Sequence, residues 1–216
     1  MDGLCRLYLI TPPQIDDLSV FKVALSEAFD GGSIAAIQLR LKGPDNAPPE
    51  KDDVKRIAEV ISPIAREANA LFLINDDPHV AKEVGADGVH IGQSDVPYDI
   101  ARSVVGQNGI VGVTCHASMD LAIDAGSAGA DYVAFGAFFP TRTKNTSTQA
   151  PISIIKNWTF AAAVPCVAIG GITVNNVEPL LGAGADYVAV SSGVWNASAG
   201  PKSAVSQFNA LFAAHC

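Results

Sequence analysis

The sequence predicts a (β/α)8 TIM barrel, on three observations: eight short apolar runs, helical spacing between them, and a motif repeated at the entry to a strand. The runs are Leu7–Thr11, Ala35–Leu41, Leu71–Asp76, Gly88–Gln93, Ile110–Cys115, Tyr132–Ala137, Cys166–Gly171 and Tyr187–Ser192. Several are nearly continuous in apolar character, as expected of strands covered on both faces. Asp17–Phe29, Asp52–Ala68, Met119–Ala128 and Val174–Leu181 carry helical spacing. Strand and helix therefore alternate, which implies a parallel sheet. Eight units within 216 residues suit a closed barrel better than a doubly wound sheet, and one domain spanning residues 1–216 is expected.

The repeat reads Glu83-Val-Gly-Ala-Asp-Gly-Val-His-Ile-Gly, Ser127-Ala-Gly-Ala-Asp-Tyr-Val-Ala-Phe-Gly and Gly182-Ala-Gly-Ala-Asp-Tyr-Val-Ala-Val-Ser. Each copy ends a helix with glycine, which takes the left-handed conformation without strain, and enters a strand after an aspartate. Asp87, Asp131 and Asp186 are accordingly expected to be structural. Two polar connections, Gly43–Asp53 and Thr141–Pro151, follow strands and are expected to be binding loops or lids.

Composition narrows the function. Hydrophobic residues are 49% and charged residues 17%, which describes a packed globular chain. A net charge of −8 without a basic cluster argues against nucleic acid and acidic membranes as partners. No stretch approaches the ~20 apolar residues that cross a bilayer. The first residues lack the pattern of a signal peptide. Cys5, Cys115, Cys166 and Cys216 are scattered, without metal-site spacing. A cytoplasmic protein with free thiols is expected.

Active sites of such barrels form at the C-terminal ends of the strands. Along the second run, alternation turns Ile37, Leu39 and Leu41 toward the helices and Gln38, Arg40 and Lys42 toward the axis. Inward cations call for an anion, a diphosphate or an internal carboxylate partner. Asp76 and Asp95 end adjacent strands and could share Mg²⁺, which prefers oxygen ligands and keeps several waters. The competing role is an N-cap before Pro78, which Asp77 fits better. His90 reads as a hydrogen-bonded packing residue inside its strand. Thr114 could hydrogen-bond a substrate, and His116 is either an acid–base group or a turn residue. Thr141, Arg142, Thr143 and Lys144 form either an anion-binding loop or a solvated one. Gly171, with Ser191 and Ser192, would let backbone N–H groups approach a phosphate. Two anion sites result, which suits a reaction between two phosphorylated molecules.

Gln38-Leu-Arg-Leu-Lys, Ile74-Asn-Asp, His90-Ile-Gly-Gln-Ser-Asp, Gly136-Ala-Phe-Phe-Pro-Thr-Arg-Thr-Lys and Ile169-Gly-Gly-Ile together resemble the motifs of the thiamine phosphate synthase family. They occur in that family's order, from Leu7 through Ser192. The resemblance implies that Gln38, Leu39, Arg40, Leu41, Lys42 and Asn75 bind hydroxymethylpyrimidine diphosphate, and that Asp76 and Asp95 hold Mg²⁺. It implies a pyrimidine contact at Thr114 and a diphosphate contact at Lys144. Thr141 to Thr143, Gly171, Ser191 and Ser192 would bind the thiazole phosphate carboxylate. Arg40, Lys42 and Lys144 would be catalytic, stabilising the departing diphosphate. Leu41 stands where the family often has Glu, and Thr114 where Ser is usual. A thiazole tautomerase of the same barrel, or an idle binder of thiamine precursors, is the alternative.

Overall fold

The computed structural model describes residues 4–43, 47–140 and 149–215. The chain runs β1 (Arg6–Ile10), α1 (Leu18–Asp30), β2 (Ala36–Leu39), α2 (Lys51–Glu67), β3 (Leu71–Asn75), α3 (Pro78–Glu83) and β4 (Gly88–Ile91). It continues through α4 (Tyr98–Val105), β5 (Ile110–His116), α5 (Met119–Ala128), β6 (Tyr132–Phe135) and α6 (Ser153–Ala161). β7 (Cys166–Ile169), α7 (Glu178–Gly182), β8 (Tyr187–Val190), α8 (Ser192–Trp195) and α9 (Gly200–Ala214) complete it. All neighbouring strands are parallel, and β8 pairs with β1 to close the barrel.

Two apolar layers hold this arrangement. The outer one lies between strands and helices. In α2 it takes Val54, Ile57, Ala58, Ile61 and Ala65, the one-face spacing of an amphipathic helix. The inner layer fills the barrel with Tyr8, Ile10, Ala36, Leu73, Tyr132, Ala134, Val167 and Ala189. Gly112 makes room for it. A Cβ there would meet the Tyr132 ring at 1.9 Å, so only glycine admits that ring into the interior.

The repeated motif does one job three times. Gly85, Gly129 and Gly184 all take positive φ after a helix. The aspartate two residues on then accepts an N–H from the preceding strand. Asp87 takes the N–H of Phe72 at 2.7 Å, Asp131 that of Val111 at 2.7 Å, and Asp186 that of Cys166 at 2.8 Å.

Some boundaries differ from expectation. β2 ends at Leu39, because Arg40 and Lys42 leave the sheet: the Arg40 N–H donates to Thr11 Oγ1 at 2.9 Å and the Lys42 N–H to the Pro13 carbonyl at 2.8 Å. The connection expected over 43–53 is shorter, since α2 begins at Lys51. α7 begins at Glu178 rather than Val174. Asn176 Oδ1 accepts the Thr173 N–H at 2.8 Å in a turn of its own, and Pro179 suits the first helical turn that follows.

Candidate active site

The strand ends open onto a cavity of about 510 Å³. Its lining includes Gln38 from β2 with Arg40 and Lys42 from the segment after it, Asn75 from β3 with Asp76 just beyond it, and Asp95 from the turn after β4. Thr114 and His116 reach it from β5, and Gly171, Ser191 and Ser192 from the last two units. Alternation explains the β2 set: Ile37, Leu39 and Leu41 pack in the outer core while their neighbours turn inward.

Leu39 and Leu41 need a correction as binding side chains. They are 1% and 8% exposed in the outer core and line a second hollow, which runs from β2 and the start of α2 across to α3 and the turn after β4, instead. Only their backbone is left to serve the cavity. Thr141, Arg142, Thr143 and Lys144 lie outside the described residues.

Asp76 and Asp95 come together because β3 and β4 are neighbours. The Asp76 N–H donates to the His90 carbonyl at 2.8 Å, and Asp76 sits at φ +65, uncommon outside glycine. Asp95 is folded back by its own turn, where its Oδ2 accepts the Gly92 N–H at 2.6 Å. The Asp95 carboxyl is near enough to act on that of Asp76. Burial first, and then Asp95, pushes the Asp76 carboxyl up to about 6, against the pull of Lys42 and Arg40. Asp77 is the helix cap, accepting from the His79 and Val80 N–H groups at 2.9 and 3.0 Å.

The cations differ. Lys42 Nζ lies 3.5 Å from Asp76 Oδ2. Arg40 forms no ion pair among the described residues, and burial pulls its guanidinium below its ordinary value while Asp76 and Asp95 oppose that. An internal carboxylate therefore accounts for Lys42 but not for Arg40.

Two carboxylates with no third carboxylate, histidine or cysteine clustered on them, among the described residues, make a partial oxygen set. It suits an ion that completes its shell with water and ligand oxygens, as Mg²⁺ does. At the opposite rim, Gly171 sits at φ +65, and a Cβ would lie 2.4 Å from the Pro140 carbonyl. Asn176 Nδ2 holds the Gly171 carbonyl at 3.0 Å, and Ser191 Oγ donates to the Thr11 carbonyl at 3.1 Å.

Sequence reasoning missed Tyr8, Thr11 and Tyr132. Tyr8 OH donates to Gln38 Oε1 at 3.1 Å, and Gln38 Nε2 donates to Asn75 Oδ1 at 2.6 Å. Tyr132 OH lies 2.9 Å from Tyr8 OH and 2.8 Å from His90 Nδ1. Alternation from Ile10 would have turned Tyr8 inward. His90 is the buried, hydrogen-bonded residue expected.

Cations and paired carboxylates at the C-terminal mouth of a closed parallel barrel define an enzyme barrel with its chemistry at the strand ends. Comparison with known proteins narrows this. A model of the family described as thiamine monophosphate synthase matches residues 7–194, and the chain belongs to that family of transferases. It is 52% identical to a thiamine-phosphate synthase of Rhodospirillum centenum over 206 residues, 95% of this chain and 96% of that one. It is 49% identical to one of Hyphomonas neptunium over 207 residues, 96% and 93% of the two chains. A solved thiamine phosphate pyrophosphorylase from Pyrococcus furiosus superposes with a TM-score of 0.84 at 29% identity, covering 99% of this chain and 98% of that one.

Proposed function

We propose that this chain is a thiamine-phosphate synthase, joining 4-amino-2-methyl-5-hydroxymethylpyrimidine diphosphate to a thiazole phosphate carboxylate. The observation that carries the reading is the inward pair Arg40 and Lys42 facing Asp76 and Asp95 at one barrel mouth, in a chain of this family. Arg40, without an ion pair among the described residues, is a half-buried cation that an anionic substrate would satisfy.

The reaction begins when the bond between the pyrimidine methylene and the diphosphate oxygen breaks. The electron pair leaves with the diphosphate, and a pyrimidine-methyl cation remains. The thiazole nitrogen gives its lone pair to that carbon and forms the new C–N bond, and the thiazole carboxylate leaves as CO₂, a proton taking its place on the ring carbon that carried it. Charge grows on the diphosphate as it leaves, so fixed cations stabilise the transition state more than the ground state. Arg40 and Lys42 take that role, with Lys144 of the 141–144 segment. Asp76 and Asp95 would hold Mg²⁺, which when bound supplies further positive charge to the diphosphate oxygens. Gln38, Asn75 and Thr114 orient the pyrimidine. Gly171, Ser191 and Ser192, with Thr141, Arg142 and Thr143, receive the thiazole phosphate. Closure of the connections after β2 and β6 would keep water from the cation.

No helix among the described residues is long and apolar enough to cross a membrane, and the buried thiols of Cys5, Cys115 and Cys166 support a reducing, cytoplasmic setting. The test is direct. Protein, both precursors and Mg²⁺ should yield thiamine phosphate and diphosphate in equal amounts. Conversion of the thiazole without diphosphate release would point to a tautomerase and overturn the reading.

A further inference from the structure

Five hydrogen bonds link Asn75 to Thr114 through the barrel interior, by way of Gln38, Tyr8, Tyr132 and His90. Their lengths run from 2.6 to 3.1 Å. Each hydroxyl in such a chain has one proton to give, so the direction of one bond sets the direction of the next. Gln38 Nε2 donates to Asn75, which turns Gln38 Oε1 toward Tyr8 as an acceptor. Tyr8 spends its proton there, so the bond between the two tyrosines is donated by Tyr132. Tyr132, its proton spent, accepts from His90 Nδ1. A neutral imidazole carries one N–H. His90 Nε2 then accepts, and Thr114 Oγ1, 2.7 Å away, is the donor.

We infer that Tyr8, Tyr132 and His90 are positioning residues that set Thr114 as a hydrogen-bond acceptor toward the cavity, and thereby select a pyrimidine that carries an amine. Thr114 lines the cavity with its proton already committed, so it offers only lone pairs to a ligand. An exocyclic N–H₂ is matched there. An oxo group at the same place sets acceptor against acceptor, which a water-poor site penalises heavily. The surroundings keep the relay in place. Tyr8 and Tyr132 are 3% and 7% exposed, their rings meet edge to face, and the Tyr132 ring stacks on His90. The selectivity rests on the function proposed above; the direction of the relay does not.

Nitrogen-15 NMR of histidine-labelled protein, with His90→Gln used to assign the signal, tests the direction. The expected spectrum shows His90 protonated at Nδ1 and bare at Nε2. Protonation at Nε2 overturns the inference, and the tautomer itself is read on the unaltered chain. Tyr8→Phe removes the acceptor for Tyr132, whose proton can then turn to His90 Nδ1. In that variant the ring proton should move to Nε2. Preference for the 4-amino over the 4-oxo pyrimidine diphosphate, about a hundredfold or more in kcat/KM for the unaltered chain, should fall at least about tenfold. KM for the thiazole phosphate should stay within about twofold, since no member of the relay adjoins Gly171 or Ser191. Tyr8→Phe with tautomer and preference both unchanged would sink the relay. Absence of any condensation product with either pyrimidine would sink the functional reading and the selectivity, while the His90 spectrum would still decide the direction.

Discussion

Lys42 and Asp76 carry the sharpest tests of single side chains. Lys42→Ala removes a cation that faces the cavity 3.5 Å from Asp76. It should raise KM for the pyrimidine diphosphate about tenfold, the scale of one charge-assisted hydrogen bond, and leave KM for the thiazole phosphate nearly unchanged. Equal weakening of both substrates would count against two separate anion sites. Asp76→Ala should cost about a hundredfold or more in kcat, and added Mg²⁺ should not restore it. Full turnover in that variant would remove Asp76 from the metal site. Asp76 also sets a pH signature. Its folded carboxyl is raised to about 6 from an ordinary 3.8, mainly by burial and then by Asp95. The folded state therefore holds a proton that the unfolded chain has released, and stability falls as pH rises from about 4 to about 6. Asp76→Asn should flatten that fall in a melting-temperature profile against pH.

At the scale of elements, the barrel depends on close contacts that sequence pattern only hints at. Gly112→Ala would drive a Cβ to 1.9 Å from the Tyr132 ring. Overpacking of this kind costs about 1–3 kcal/mol, measurable by urea unfolding, and it should disturb His90 through Tyr132. Asp131→Ala removes the acceptor for the Val111 N–H and the partner of Arg102, and should cost about 1–2 kcal/mol without changing KM for either substrate. The helical stretches at Asp17–Phe29, Asp52–Ala68 and Met119–Ala128 were legible to within a residue at each end, because each buries one face of an amphipathic segment. α7 was not. Its start depends on the turn that Asn176 makes, which leaves no periodic trace.

For the whole molecule, closure of the barrel decides which strand ends meet. β3 and β4 bring Asp76 to Asp95, and β2 brings Arg40 and Lys42 beside them. In a chain of net charge −8, these cations lie at the cavity and not on a basic surface patch. Mg²⁺ should raise the melting temperature, more at pH 7 than at pH 5, because the metal competes with the proton held by Asp76. The effect should vanish in Asp76→Ala. A shift of the same size in that variant would place the ion elsewhere.

The amino-acid sequence by itself determined the alternation of strand and helix, the three Gly-Ala-Asp entries, and which residues of β2 turn inward, because each follows from local periodicity. Only the tertiary structure decided how near Asp76 comes to Asp95, and that Tyr8, Tyr132 and His90 join into one relay. The relay contacts span strands far apart in the chain. They exist only once β8 has paired with β1, and no local pattern records a distance across a closed barrel.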